Sequence, residues 1–399
     1  MMEPIIRRLI IKRFRSFPNE VATFGNPTFL VGRNGAGKSN FVEIFSFVSE
    51  AMTSPLQSVV DRRGGITRMR FRDSAPNSPS NLGIGIDLGA VNEEVNDARF
   101  AFEIKEVSRY GFEIVREQCQ VVYKDGNRYW YERTREKFET NVHGLAPVVQ
   151  PIALSLPLIG GDQRFAPVYK ALSSIGVYSV DPQRVAEAQD FESGAILEGD
   201  GSNAANVLQE LERSSPETVA RVYEYLRGIL PSVATVRAKP QGHKLVLEFV
   251  QQWSQSQSLT FDAPSMSEGT LRTLGLILSV FQPTKPSVLV IEEPEATIHP
   301  GALGTILDLI RHASRNMQVI VTTHSPDLLD AASWIGEEHL RLVIWEDGAS
   351  HIAPVAESVK RTLRSHLMGA GEVLRSNALD PAPHVSTQSA QPELFEDLA

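Results

Sequence analysis

The sequence predicts an α/β protein in which a parallel sheet is accompanied by an antiparallel β lobe and a helical insertion. Three observations predict it. The C-terminal part alternates helix-length and strand-length apolar patterns, at 267–281, 287–291, 301–315, 317–322, 326–331 and 340–345, which is the rhythm of a parallel sheet. Near the start, an apolar run at 27–31 enters a glycine-rich turn and then a helix-length stretch at 38–52. Between them, from 82 to about 139, the apolar segments are short and alternating, as in antiparallel strands.

Taken in order, residues 5–17 mix apolar and basic side chains in near alternation and read as one half-buried strand. Residues 53–81, rich in Ser, Pro, Asn and Arg, read as a long exposed loop with one short helix. The β lobe places segments at 85–88, 99–107, 112–123 and 128–135, with Asp125-Gly126-Asn127 as a hairpin turn between the last two. Residues 167–228 read mostly as helix with a strand at 177–180, and strands follow at 232–238 and 244–250. From 380 onward the Pro-, Ser- and Gln-rich composition, ending in acidic residues, predicts a tail that buries too little apolar surface to order itself. The expected division is 1–165, 166–260, 261–379 and a disordered 380–399.

Composition bounds the function. The 399 residues fit two or three lobes, and 42% hydrophobic with 22% charged residues excludes a mostly disordered, collagen-like or coiled-coil chain. No window offers 18 uninterrupted apolar residues, and the first residues lack the pattern of a signal peptide, so a cytoplasmic protein without a membrane span is expected. Cys119 stands alone, which rules out an intrachain disulfide and a cysteine-built zinc site. It reads as a buried small hydrophobe. The net charge of −9 is uneven: residues 1–75 carry 12 Lys/Arg against 6 Asp/Glu. Such a basic region either meets phosphate or forms a solvated face.

Gly32-Arg33-Asn34-Gly35-Ala36-Gly37-Lys38-Ser39 fits G-x-x-x-x-G-K-[ST] and sits between the strand and helix that the pattern requires. Its glycines let backbone N–H groups of Asn34 through Asn40 converge on a polyphosphate at a helix N-terminus. Lys38 is the candidate contact to the β- and γ-phosphates of ATP, and Ser39 the candidate hydroxyl ligand of Mg²⁺. Downstream, the apolar run 288–291 ends in Glu292-Glu293-Pro294-Glu295, so carboxylates emerge where α/β sheets place ligands. Successive strand residues face opposite ways. The two glutamates therefore need not share a role: Glu292 is the candidate Mg²⁺-side residue, directly or through water, and Glu293 the candidate base orienting the attacking water. The run 319–323 delivers His324 to the same edge as a candidate γ-phosphate sensor.

Gly32 to Ser39, then Ser265-Met266-Ser267-Glu268-Gly269-Thr270, then Ile291-Glu292-Glu293-Pro294, then Thr323-His324, in that order, resemble the ABC-type ATPases and more closely their RecF/SMC and OLD-like branch. That branch includes stand-alone AAA ATPases of prokaryotic antiviral operons. The resemblance covers about 5–50 and 175–375 and implies a P-loop NTPase of the ABC-type ATPase head. It places Ser267 and Gly269 at the signature that meets ATP held by a second subunit, Gln183 at the Q-loop contact to Mg²⁺ with Asp181 and Arg184 as alternatives, and His299 on a D-loop touching the partner. Met266, Glu268, Thr270 and Glu292 depart from the transporter-type pattern.

The resemblance implies an ATPase that dimerises around ATP, as a homodimer or higher oligomer. Nucleases of the OLD type add a TOPRIM domain needing an Asp-x-Asp pair, which this sequence lacks, so an effector such as a nuclease or toxin is expected on a separate polypeptide. Controlling it in antiviral defence is the leading expectation. The rivals are a repair ATPase that clamps DNA through Arg62, Arg63, Arg68, Arg70 and Arg72, and a scaffold in which nucleotide only stabilises an oligomer.

Overall fold

The computed structural model describes residues 2–72, 80–107, 111–148, 150–254, 257–365, 367–376, 378–382 and 393–398. The chain divides into two compact units: an N-terminal unit of 2–175, 337–360 and 380–399, and a central unit of 176–336 and 361–379. The chain returns to the N-terminal unit near its end.

In the N-terminal unit, β1 (Ile6–Phe14) and β2 (Phe17–Thr23) form a hairpin where the sequence predicts one strand. The alternation runs on through the reversal, which is made by backbone torsion, with Arg15 at φ 52°. The buried β3 (Thr28–Val31) leads into α1 (Lys38–Thr53), as the sequence predicts. On α1, Phe47 packs 5.8 Å from Phe14 and 6.0 Å from Phe102. Burying each of these rings stabilises the unit by about 1.5–3 kcal/mol. Two short helices, α2 (Leu56–Arg62) and α3 (Ile66–Met69), occupy half of the described part of the expected loop.

The strands β4 (Asn81–Leu88), β5 (Val95–Glu106), β6 (Phe112–Tyr123), β7 (Arg128–Thr134) and β8 (Phe138–Thr140) join the first hairpin in one sheet, ordered β2-β1-β4-β5-β6-β7-β8. All its pairings are antiparallel, so the expected β lobe also takes in the start of the chain. The helices α4 (Leu156–Ile159) and α5 (Ala166–Ser173) follow. Glu117 is fully buried, and its carboxylate accepts hydrogen bonds from the Ser155 and Leu156 N–H groups and from the Tyr131 hydroxyl. Burial pushes its carboxyl up even so.

The central unit runs β9 (Gly176–Tyr178), α6 (Pro182–Ala186), β10 (Gln189–Asp190), α7 (Ala204–Ser214), α8 (Pro216–Ile229), β11 (Val233–Gln241), β12 (Lys244–Ser254), β13 (Gln257–Asp262), α9 (Glu268–Phe281), β14 (Val288–Glu292), α10 (Leu303–Ala313), β15 (Gln318–Thr323) and α11 (Pro326–Asp330). Here β14 pairs in parallel with β15 on one side and β9 on the other, giving the predicted parallel arrangement. Strands β10 to β13 make a separate antiparallel sheet. Tyr178 at the end of β9 accepts a hydrogen bond from Gln282 beyond α9, and burial pushes its hydroxyl up to about 12.

Back in the N-terminal unit, β16 (Leu340–Glu346) lies parallel to β3 and antiparallel to β17 (Ala349–Pro354). The helix α12 (Glu357–Arg364) follows where the chain passes back to the central unit, which contains α13 (Ala370–Arg375). The expected free tail is corrected for its last described residues. Residues 383–392 and 399 lie outside the description, but 393–398 are seated on the seven-stranded sheet with Leu394 only 5% exposed. Averaging composition over the whole tail hides the apolar Leu394, Phe395 and Leu398.

Candidate functional site

The glycine-rich turn of the N-terminal unit is shaped by backbone torsion and by close packing. Gly35 and Gly37 take φ 80° and 109°, where a side chain is strained. A Cβ at Gly32 would overlap the Val343 carbonyl of β16, and one at Gly37 would overlap the Ser350 hydroxyl of β17. Lys38 opens α1, is 6% exposed, and donates from Nζ to the carbonyls of Gly32 at 2.8 Å and Arg33 at 3.3 Å. The ammonium thereby closes the loop on itself. Asn34, Gly35 and Ser39 are exposed, whereas Ala36 is buried. Ser16 of the β1–β2 turn accepts from Asn40 Nδ2 at 2.8 Å and from the Ser350 hydroxyl at 2.7 Å, which ties hairpin, helix and β17 together.

At its N-terminus α1 has neither a side-chain cap nor an acidic residue in its first turn. Helix-start N–H groups have no intrahelical partner and carry partial positive charge, so this end suits an anion. The residues therefore fit a nucleotide polyphosphate. Among the described residues no group of three or more His, Cys, Asp or Glu could hold a metal. A Mg²⁺ here would draw most of its ligands from phosphate and water, with Ser39 as one protein ligand. Replacing Gly37 by Ala should destabilise the fold by about 1–3 kcal/mol through torsional strain. A urea unfolding midpoint equal to that of the parent would show that the loop relaxes instead.

The central unit brings two predicted residues into contact. Glu293 follows β14 and His324 follows β15, and the parallel pairing of Glu292 with Thr322 sets their strand ends side by side. Glu293 Oε1 lies 3.1 Å from His324 Nδ1, with the two side chains 35% and 42% exposed. Glu293 sits at φ 44°, unusual for a residue with a side chain. Its N–H donates to the Thr322 carbonyl at 3.1 Å and to the Thr322 hydroxyl at 3.2 Å. Thr323 donates its hydroxyl to Glu295 at 2.6 Å. Thr322 was not singled out by the sequence, although the Thr-Thr before His324 was the available signal. Glu292 itself is half-buried.

The signature segment lies against the same loop. Ser267 caps α9, accepting from the Thr270 N–H at 3.2 Å. A Cβ on Gly269 would come 2.6 Å from the Thr297 carbonyl, and Arg272, one turn on, donates to the Glu293 carbonyl at 3.4 Å. The carboxylate of Glu268 in the first turn stabilises the helix but opposes a phosphate there. Gln183 is exposed in α6, its N–H held by Asp181, and α6 begins beyond the end of β9, whose Tyr178 pairs with Ile291. Gln183 thus leaves the strip at the edge that bears Glu292. Exposed His299 uses Nδ1 to accept from the Gly301 N–H at 3.0 Å.

The five arginines expected to grip DNA do not form an open cationic row. Arg62 and Arg63 both bind Glu50 at 2.7 Å, and Arg63 is 10% exposed and also reaches Glu43 at 3.4 Å. Arg70 pairs with Glu106 at 3.2 Å. Arg68 and Arg72 are exposed, and Arg72 donates to the Thr67 carbonyl at 3.3 Å. Sequence counting missed this because the carboxylate partners lie on α1 and β5.

The fold is similar to SMC head structures. One, the SMC head bound to the C-terminal winged-helix domain of ScpA, aligns over 90% of this chain and 100% of its own at 16% identity and a TM-score of 0.56. Another, the Smc head with an extended coiled coil bound to the C-terminal domain of ScpA, from Pyrococcus furiosus, aligns over 91% and 99% at 15% identity and a TM-score of 0.52. No curated protein matches the sequence. No helix among the described residues is long and apolar enough to cross a membrane. A family profile matches residues 28–144 and 162–330, spanning the glycine-rich turn, β14 and the residues around His324, and on that match the chain belongs to the AAA-domain family described as "AAA domain, putative AbiEii toxin, Type IV TA system".

Proposed function

We propose that the chain is an ATP-hydrolysing switch that pairs with a second copy of itself and controls a separate effector, a nuclease or toxin, in antiviral defence. The observation that carries it is the Glu293–His324 contact at the C-terminal end of a parallel strand pair, in a chain whose P-loop helix is left uncapped for an anion. Lys38 and the N–H groups of Asn34 to Asn40 bind the polyphosphate. Bound Mg²⁺ would neutralise phosphate charge, and Ser39, Glu292 and Gln183 are its proposed protein ligands, directly or through water. Glu293 takes the proton of the attacking water, and His324 holds its carboxylate and senses the γ-phosphate.

Ser267 and Gly269 of the second copy complete the site. Glu268 makes that end of α9 a weaker anion partner than α1, which supports a contact made only once ATP is held. A partner effector is supported by the toxin–antitoxin description of the family and by the two SMC heads, both described with another protein bound. The ion pairs of Arg62, Arg63 and Arg70 weigh against the DNA-clamp alternative.

The test is the rate of ATP hydrolysis per subunit as the protein is diluted. Below the dimerisation constant the paired fraction falls in proportion to concentration, so a tenfold dilution should lower the rate per subunit about tenfold. A rate that stays level down to demonstrable monomers would sink the shared site. Undetectable hydrolysis with tight ATP binding would favour the scaffold instead.

A further inference from the structure

The far face of the seven-stranded sheet holds a site unconnected with nucleotide. Its registry aligns Ile10, Gly85, Ala101 and Gln118 in one row across β1, β4, β5 and β6. The next row contains Gly83 beside Lys12 and Glu103. Glycine and alanine at the middle of a sheet leave a notch, and Leu394 fills it against Ile10 and Ala101. A Cβ at Gly83 would overlap the Leu394 side chain, and one at Gly85 would lie 3.1 Å from it. The notch is therefore cut to a leucine.

Around it the sheet holds the segment's backbone as a receptor holds a peptide. Arg99, 6% exposed, donates to the carbonyls of Glu393 at 2.8 Å and Leu394 at 3.0 Å and to the Glu396 carboxylate at 2.9 Å. The Gln118 amide donates to the Glu396 carbonyl at 2.7 Å and accepts its N–H at 3.0 Å. The Arg116 guanidinium lies 4.5 Å from the centre of the Phe395 ring. Leucine, aromatic and acidic positions are thus each read by a different group. Glu393, Glu396 and Asp397 make the segment acidic, matching a face that offers arginines to it.

We propose that this face is a docking site for a short, acidic Glu-Leu-Phe-Glu motif carried by a partner protein, and that in the free chain its own C-terminal segment occupies it. Six residues with two buried leucines, Leu394 and Leu398, bind weakly, but tethering supplies an effective concentration of about 1 mM. With an intrinsic constant of roughly 10–100 μM, the tethered segment fills the site about 10- to 100-fold over the empty state, so a partner motif displaces it by binding more tightly than the tethered copy.

The probe is a fluorescent peptide with the sequence of residues 392–398, followed by anisotropy on the full chain. Leu394→Ala weakens the chain's own segment, so that variant should bind the peptide at least about tenfold more tightly than the parent. Adding Arg99→Ala should remove the gain, as should a peptide with alanine at the leucine. Should Leu394→Ala unfold the chain, truncation after Ala382 provides the same vacated face. A folded, vacated chain that binds no better than the parent, or binds equally without Arg99, overturns the proposal. So does a nucleotide-free parent dimer that excess peptide dissolves, which would assign the face to a second copy.

Discussion

Replacing Glu293 by Gln is expected to slow ATP turnover by about 10²–10⁴-fold while ATP affinity changes only a few-fold. Gln keeps the length of the side chain and an oxygen that can face His324 Nδ1, now 3.1 Å from the Glu293 carboxylate, so the local geometry survives. It cannot take a proton from water. The backbone is held independently of the carboxylate, through the two hydrogen bonds from the Glu293 N–H to Thr322. Loss of rate without loss of binding is the signature of a group needed only in the transition state. Single-turnover hydrolysis and equilibrium nucleotide binding measure the two quantities separately. Turnover within tenfold of the parent would remove Glu293 from the role of base. The substituted chain should also remain paired in the presence of ATP, readable by size-exclusion chromatography.

Lys38→Ala should reduce affinity for ATP by about 10–150-fold, the equivalent of a charge-assisted hydrogen bond worth about 1.5–3 kcal/mol. The effect separates from simple unfolding. The Lys38 ammonium now bonds to the carbonyls of half-buried Gly32 and exposed Arg33, which water can reach once it is gone, so the unfolding midpoint should move less than ATP affinity does. Affinity retained in a folded variant would dismiss this turn as the polyphosphate site. It would also leave the uncapped start of α1 without a ligand.

Legibility in the sequence followed locality. The strand ends bearing Glu293 and His324, and the helix beginning at Lys38, were readable because an apolar run fixes each strand and a chemically distinctive residue ends it. The contact between Glu293 and His324 was only implied, since parallel pairing of β14 with β15 is a relation between distant segments. Strand β17 was missed: Ala-Ser-His-Ile-Ala-Pro has little strand propensity of its own. It is held by β16 and by Glu20, which accepts the Ile352 N–H and lies 2.8 Å from His351. Residues Ser16 and Ser350 were invisible for the same reason, since their role is to meet each other and Gly37.

Gly269 meets a steric demand that is separate from its proposed contact with phosphate. A residue with no side chain is imposed there by the carbonyl of Thr297 within the same subunit, before any second copy or nucleotide is considered. Persistence of glycine at this position across related sequences would therefore record a steric requirement of the monomer, and phosphate recognition would have to be established at Ser267, where no such crowding dictates the choice.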